Sequence, residues 1–436
     1  MSSDPPPAAG SDPIPTIDEL RALASRHGSA LPPEVIPIFE RALAAEGLAR
    51  RFALQKLGAR AWYAGEVESA EASWRAGVAE GRTERDQLWF MALNNLSLIL
   101  EYRARHFEAA VIAGYVLRHA PRTEWHVRTF AAAFRARSLL EIDPPRVAPL
   151  LASAWEELAG DPKKVESPGA HSLQSMEVEH ALATGRWQSA HEWAQRSLAY
   201  LERNSAPAIL LYARLGELRA RYELDDSSRG AFIEELESLD RGCRVEGDWS
   251  PSWRRTRSLL RWQHAIESEN AAGAAAEAEE FLSLGSNGYN ARELARALGY
   301  LERMSLPAEV EDTLHLRAAD AILERFHACQ QDLEQVQELE DVTAEDWRSM
   351  AGYQGRLLDG TDRVRRAFAK RWRPGLPAYD HLTGSDGRVT QCAWCGRTRA
   401  GEQWLPSQDI ATLVESGSIS HGICPTCVRQ VGARGD

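Results

Sequence analysis

From about Pro33 to Trp372 the apolar positions of this chain return every three or four residues, which is the spacing of one face of an α-helix. Arg85 to Ala104 shows the pattern in full. Leu88, Phe90, Met91, Leu93, Leu96, Ile99 and Leu100 form one broad apolar face, and polar residues fill the other. No stretch before the last fifty residues alternates in the way a half-buried strand requires. The chain therefore predicts a mainly α protein.

The helices are punctuated on a regular beat. A short motif recurs as Gly65-Glu-Val-Glu-Ser-Ala70, Arg105-His-Phe-Glu-Ala-Ala110 and Gly185-Arg-Trp-Gln-Ser-Ala190. Each copy has a turn residue, an apolar anchor two positions later and an alanine three beyond that. The starts of the copies lie 40 and 80 residues apart. Breakers fall on the same beat at Asp143-Pro-Pro145, Asp225-Asp-Ser227 and Asn270-Ala-Ala-Gly273. A second series lies midway, at Gly81-Arg-Thr83, Pro121-Arg-Thr123, Gly160-Asp-Pro162, 204–207, 247–251 and 285–288. Two interleaved series imply two helices per unit and about six or seven units, the mark of a solenoid. The recurring alanine is expected where paired helices approach closely.

This pattern resembles the tetratricopeptide repeat. Leu57-Gly58 followed by Gly65, Ala70 and Trp74 matches its two-helix signature. Asn95-Leu-Ser97 followed by Phe107, Ala109 or Ala110 and Pro121 gives a second copy, and Gly185, Trp187 and Ala190 a third. The period exceeds the usual ~34 residues of that family, so longer helices are expected. The resemblance implies an α-solenoid whose groove binds a protein or peptide. Trp62, Tyr63, Asn94 and Tyr102 are the candidate groove residues, with packing between repeats as their alternative role.

The organisation follows. Residues 1–32, rich in proline and small polar residues, read as a disordered arm, and 33–340 as the helical array. Residues 341–373 read as capping helices, opened by Thr343-Ala-Glu-Asp346, which is a capping box with Asp in place of Glu. This segment carries a basic stretch: Arg363, Arg365, Arg366, Lys370, Arg371 and Arg373. These six could touch phosphates or form a solvated helix face. A linker at 374–388, a cysteine module at 389–431 and a tail at 432–436 complete the chain.

The module carries four of the six cysteines, as Cys392-Ala-Trp-Cys395 and Cys424-Pro-Thr-Cys427. Two such pairs supply a closed four-thiolate set, so a structural zinc is expected. A thiol redox switch and an iron–sulfur cluster are the alternatives. His421 would serve as a zinc neighbour, hydrogen-bonded to sulfur or backbone, or as a ligand. The pairs together with Trp404 and Ser420-His-Gly-Ile-Cys424-Pro resemble a short cysteine module found at the C-terminus of many bacterial signalling proteins. That resemblance implies a role in regulation. Gly401-Glu-Gln403 stands where that family has an acidic run. The remaining cysteines, Cys243 and Cys329, stand alone and are expected as buried apolar residues.

Charge changes the picture little. The net charge is −12, so broad nucleic-acid binding is not expected of the whole chain. Lysine occurs only at Lys56, Lys163, Lys164 and Lys370, a bias typical of a GC-rich bacterial source. No apolar run approaches the ~18 residues of a membrane span, and the N-terminus does not read as a secretion signal. A cytoplasmic protein is expected. No phosphate-binding glycine loop, His-Glu-x-x-His or nucleophile elbow occurs. The expected function is non-enzymatic: a protein-binding adaptor in bacterial signalling. A nucleic-acid-binding regulator, or a thiol or zinc redox sensor, is the alternative.

Overall fold

The computed structural model describes residues 13–27, 31–204, 207–224, 229–245, 251–284, 291–304, 308–337, 339, 341–357, 389–392, 398–400, 403–405 and 419–422. Nearly all of these residues are helical. Two short helices, α1 (Ile17–His27) and α2 (Ile36–Arg41), precede a series of pairs. The pairs are α3 (Leu48–Tyr63) with α4 (Val67–Glu80), α5 (Gln87–Tyr102) with α6 (His106–His119), and α7 (Trp125–Ile142) with α8 (Val147–Leu158). After the one-turn α9 (Pro162–Val165) come α10 (Pro168–Ala183) with α11 (Trp187–Asn204), and α12 (Pro207–Leu224) with α13 (Arg229–Val245). The last are α14 (Pro251–Glu267) with α15 (Ala271–Ser283), and α16 (Ala291–Leu301) with α17 (Ala308–Gln337). First helices of successive pairs start 38 to 44 residues apart, so the beat read from the turns is the beat of the helices. No helix among the described residues is long and apolar enough to cross a membrane.

The turns inside the pairs share one physical solution. Gly65, Ala104, Gly185 and Glu269 all have positive φ, between 56° and 77°. The next residue's N–H then reaches back five positions, from Glu66 to Ala61 O, Arg105 to Leu100 O, Arg186 to Ala181 O and Asn270 to Ala265 O, at 2.8–2.9 Å. This is the Schellman closure, which satisfies the carbonyls that a helix end leaves open. Five residues after each left-handed position stands a buried alanine: Ala70, Ala109, Ala190 and Ala274. The second sequence copy is therefore displaced by one. Its turn residue is Ala104 rather than Arg105, and Ala109 rather than Ala110 takes the alanine place. Glu269 begins a fourth copy, at the Asn270–Gly273 breaker that the sequence places on the same beat. Glutamate in the left-handed region costs energy that glycine does not. Glu269 is exposed, so Glu269→Gly should raise stability by about 0.5–1 kcal/mol in urea unfolding. No change, or a loss, would remove this account of the turn.

Within residues 1–32, expected as a disordered arm, 17–27 form a helix. Residues 17–27 are helix because Thr16 and Glu19 form a capping box: Thr16 N–H and Oγ1 both donate to Glu19 Oε2, at 2.7 and 3.0 Å. Leu20 and Ala24 then bury against a cluster that holds Phe39 and Ala53. That apolar face offsets the ordering entropy that the prolines upstream cannot. The second expected capping box is present. Asp346 Oδ2 accepts from Thr343 N at 3.2 Å and Oγ1 at 2.7 Å, and opens α18 (344–357). Cys329 is a buried free thiol, pushed up to about 11 by burial and therefore unreactive.

The chain divides into two compact units, Met1–Leu139 with Arg146–Met176, and Leu140–Pro145 with Glu177–Asp436. In the second, segment 140–145 is held by distant helices. Arg292 of α16 reaches Glu141 Oε1 at 2.6 Å, Ser349 Oγ donates to Asp143 Oδ2 at 2.6 Å, and Arg356 donates to Glu141 O at 3.0 Å. These contacts skip whole helix pairs, which a strict nearest-neighbour stack of repeats does not do.

Four short strands lie in the cysteine module: β1 (Val389–Cys392), β2 (Thr398–Ala400), β3 (Gln403–Leu405) and β4 (Ile419–Gly422). They form one sheet of order β3-β2-β1-β4, with β1 and β4 parallel and the other pairs antiparallel.

Candidate functional site

In the first unit, two of the four groove candidates, Trp62 and Tyr102, come together. Trp62 and Tyr63 end α3, and Tyr102 ends α5. The Trp62 and Tyr102 rings meet edge to face at 5.1 Å, an arrangement the ring quadrupoles favour. Both are partly buried, whereas Tyr63 is 61% exposed. Asn94 takes the alternative role, packing between repeats. It is 4% exposed, and its Nδ2 donates to Val127 O of α7 at 2.8 Å. An amide spent on a neighbouring backbone carbonyl is a tie between helix pairs and is closed to a partner.

An ion network on α4 and α6 was not foreseen. Arg75 bridges two carboxylates, with Nε 2.8 Å from Glu71 Oε1 and Nη2 3.0 Å from Glu108 Oε1. Arg103 donates to Glu71 Oε2 at 2.7 Å, and Arg105 pairs with Glu108. Burial works against the Glu71 charge, but Arg75, Arg103 and Arg105 outweigh it and hold the carboxyl below its usual range. Three cations converge on two acids here, so the network locks one pair to the next. Glu71–Arg75 and Arg105–Glu108 stand at i,i+4 and i,i+3 spacing, but the Arg75–Glu108 and Arg103–Glu71 links, 33 and 32 residues apart, have no local mark.

The second unit has a polar hub on its first helices. Gln263 of α14 donates through Nε2 to Glu223 Oε1 of α12 and to Glu267 Oε1, both at 3.0 Å. Its Oε1 accepts from Arg296 Nη2 at 3.1 Å and from the Tyr300 hydroxyl at 3.0 Å, both on α16. Tyr222 of α12 donates to Glu267 Oε2 at 2.6 Å. Burial and this carboxylate keep the Tyr222 phenol well above its ordinary range, so it remains a donor at neutral pH. An amide that uses both ends across three helices fixes their order, as buried polar networks do when every member is satisfied.

The described part of the cysteine module is its backbone. Cys392 is the last residue of β1 and stands in register with Gly422, the last residue of β4. Trp404 lies in β3 and His421 in β4. Cys395, Cys424, Cys427 and the basic run Arg363, Arg365, Arg366, Lys370, Arg371 and Arg373 lie outside the described residues, as do the linker at 374–388 and the side chains of Cys392 and His421. No group of three or more His, Cys, Asp or Glu side chains able to hold a metal occurs among the described residues.

No family model matches the chain, and no curated protein is significantly similar to it. The functional reading therefore rests on these residues alone.

Proposed function

We propose that this chain is a non-enzymatic adaptor: an α-solenoid of tetratricopeptide-like helix pairs that grips a protein partner, joined to a small zinc-stapled module. The observation that carries the reading is the aromatic surface at the ends of α3 and α5. Tyr63, 61% exposed, follows Trp62 in sequence, and Trp62 meets Tyr102 of the next pair edge to face. Tyrosine and tryptophan in such positions supply large contact area at low entropic cost, which is why they dominate interface hot spots. The surface sits on first helices of successive pairs, where repeat proteins of this kind carry their binding groove.

The zinc part rests on donor chemistry and on strand register. Cys392, Cys395, Cys424 and Cys427 are four soft thiolate donors in two short-spaced pairs, a set that suits zinc without an open coordination position. β1 and β4 are parallel and end together at Cys392 and Gly422. Both cysteine pairs therefore follow in sequence from the same end of neighbouring strands, which supports a shared site. Zinc there would act as a cross-link, holding a module too small to fold on its own apolar area.

The test uses the full chain, tagged and recovered from lysate of its host cell. A protein captured in stoichiometric amount by the native chain should be kept after serine replacement of Arg363, Arg365 and Arg366, and lost from the Tyr63→Ala, Tyr102→Ala variant. Equal capture by the aromatic variant would sink the adaptor reading. Metal analysis of the same preparations should give one zinc per chain, absent from Cys392→Ser. A metal-free native chain would remove the zinc part alone.

A further inference from the structure

A chain of polar contacts crosses from α12 to the end of α14 and stops at an exposed serine. The Tyr222 hydroxyl donates to Glu267 Oε2 at 2.6 Å and lies 3.5 Å from His264 Nδ1. On the other side of the imidazole, His264 Nε2 lies 3.4 Å from Ser268 Oγ. Glu267 is held in turn. Its Oε1 accepts from Gln263 Nε2 at 3.0 Å, and Arg229 Nη1 stands 3.7 Å from Oε2. The His264 ring packs against two others, with centroids 6.1 Å from Tyr222 and 5.9 Å from Phe232. Tyr222 and Phe232 are buried, His264 is half-buried and Ser268 is exposed.

These partners fix the tautomer of the imidazole. Tyr222 gives its proton to Glu267, so its oxygen is left to accept, and the Nδ1–H of His264 is the donor that faces it. A neutral imidazole with its proton on Nδ1 has a bare Nε2, which accepts from Ser268 Oγ–H. Burial holds His264 below its usual pKa against the charge of Glu267, and Arg229 acts with burial, so the ring is neutral at neutral pH. A nucleophile beside a base that a third group orients is the arrangement that activates a serine hydroxyl. Both His264 spacings are long for hydrogen bonds, as such contacts often are before a reactant tightens them. Ser268 follows α14 directly and precedes Glu269, whose left-handed backbone turns the chain into α15. The hydroxyl therefore stands at a helix end, clear of the packed faces.

We propose that Ser268 is a nucleophilic acceptor of acyl groups from activated carboxylic esters, with His264 as its base and Tyr222 and Glu267 as positioning residues. Ser268 Oγ attacks the ester carbonyl carbon while its proton passes to His264 Nε2. The bond from that carbon to the leaving alcohol oxygen then breaks. The alcohol departs with the proton from Nε2, and the acyl group stays on Ser268. Such a stoichiometric acylation modifies the chain and is not turnover. None of these residues belongs to the aromatic surface or to the cysteine module, so the inference stands apart from the adaptor reading.

The experiment incubates the full chain with p-nitrophenyl acetate. Released nitrophenolate gives the rate, and peptide mass mapping gives the place. A single acetyl group should appear on Ser268, and Ser268→Ala should lose it. That serine is exposed, so its removal leaves the fold intact. Ser283→Ala, at an exposed serine of α15 whose hydroxyl donates to Glu280 O at 2.8 Å, should react as the native chain does. His264→Gln should react at least about a hundredfold more slowly, the share of a general base. The native rate should rise with pH through the lowered pKa of His264 and be flat at neutral pH, because only the neutral ring accepts a proton. Tyr222→Phe should move that midpoint upward, since Glu267 then favours the imidazolium without the phenol hydroxyl as intermediary. A packing role alone would leave the midpoint in place, and that result would remove Tyr222 from the site. Three outcomes overturn the proposal: acetyl groups spread over surface hydroxyls with no excess at Ser268, an undiminished rate in His264→Gln, or no acetylated chain.

Discussion

Trp262→Ala should destabilise the second unit by about 3–5 kcal/mol, the cost of emptying a large aromatic site in a close-packed core. Trp262 is fully buried and belongs to a cluster drawn from four helices, with Leu259, Phe281, Leu298 and Leu314 among its members. Its ring meets Tyr300 at 5.4 Å and Phe281 at 6.1 Å, and its Nε1 donates to the Met304 thioether Sδ at 3.1 Å. Alanine removes the area and both ring contacts, and leaves a cavity that α14, α15 and α16 cannot close without shifting. Trp262 also lies next to Gln263, so the polar hub should loosen with it. Urea unfolding followed by fluorescence of the remaining tryptophans reads the loss. A cost under about 1 kcal/mol would mean that this cluster is not the core of the unit.

A matched pair of glycine substitutions should move stability in opposite directions. An ideal Cβ on Gly58 of α3 would stand 2.6 Å from Trp74 Nε1 and 2.9 Å from two ring carbons. Trp74 is buried and pinned through Nε1 to Gln55 O at 3.4 Å, so its indole cannot swing away. Gly58→Ala is therefore an overpacking change, expected to cost about 1–3 kcal/mol. Gly77 of α4 is the control. A Cβ there would meet nothing closer than Ala92 and Leu54 at 3.9 Å, ordinary contact. Gly77→Ala should gain about 0.5–1 kcal/mol from helix propensity and reduced unfolded-state entropy. Losses of equal size at both positions would show that glycine is needed for a reason other than the indole of Trp74.

These two glycines also show how sequence and structure divide the work. The Leu57-Gly58 and Trp74 spacing was legible as a repeat signature, but the reason for it was not. The glycine is there because an indole from the second helix lies flat against the first, and that contact exists only once the pair is folded. Asn94 shows the reverse. The sequence leaves it open between the groove and packing between repeats, and Val127 O lies within reach and captures the amide. A polar residue on a first helix looks the same in sequence whether it faces a partner or the next repeat.

The sequence by itself determined the helices, their pairing and their period, because apolar spacing and turn chemistry are local and act within a few residues. It also shows the two cysteine pairs, because their spacing is local. Only the tertiary structure decided which charges meet. Arg292 finds Glu141 across 151 residues, and Arg356 finds the same helix end across 215. Such encounters join residues far apart in sequence, so no local spacing announces them.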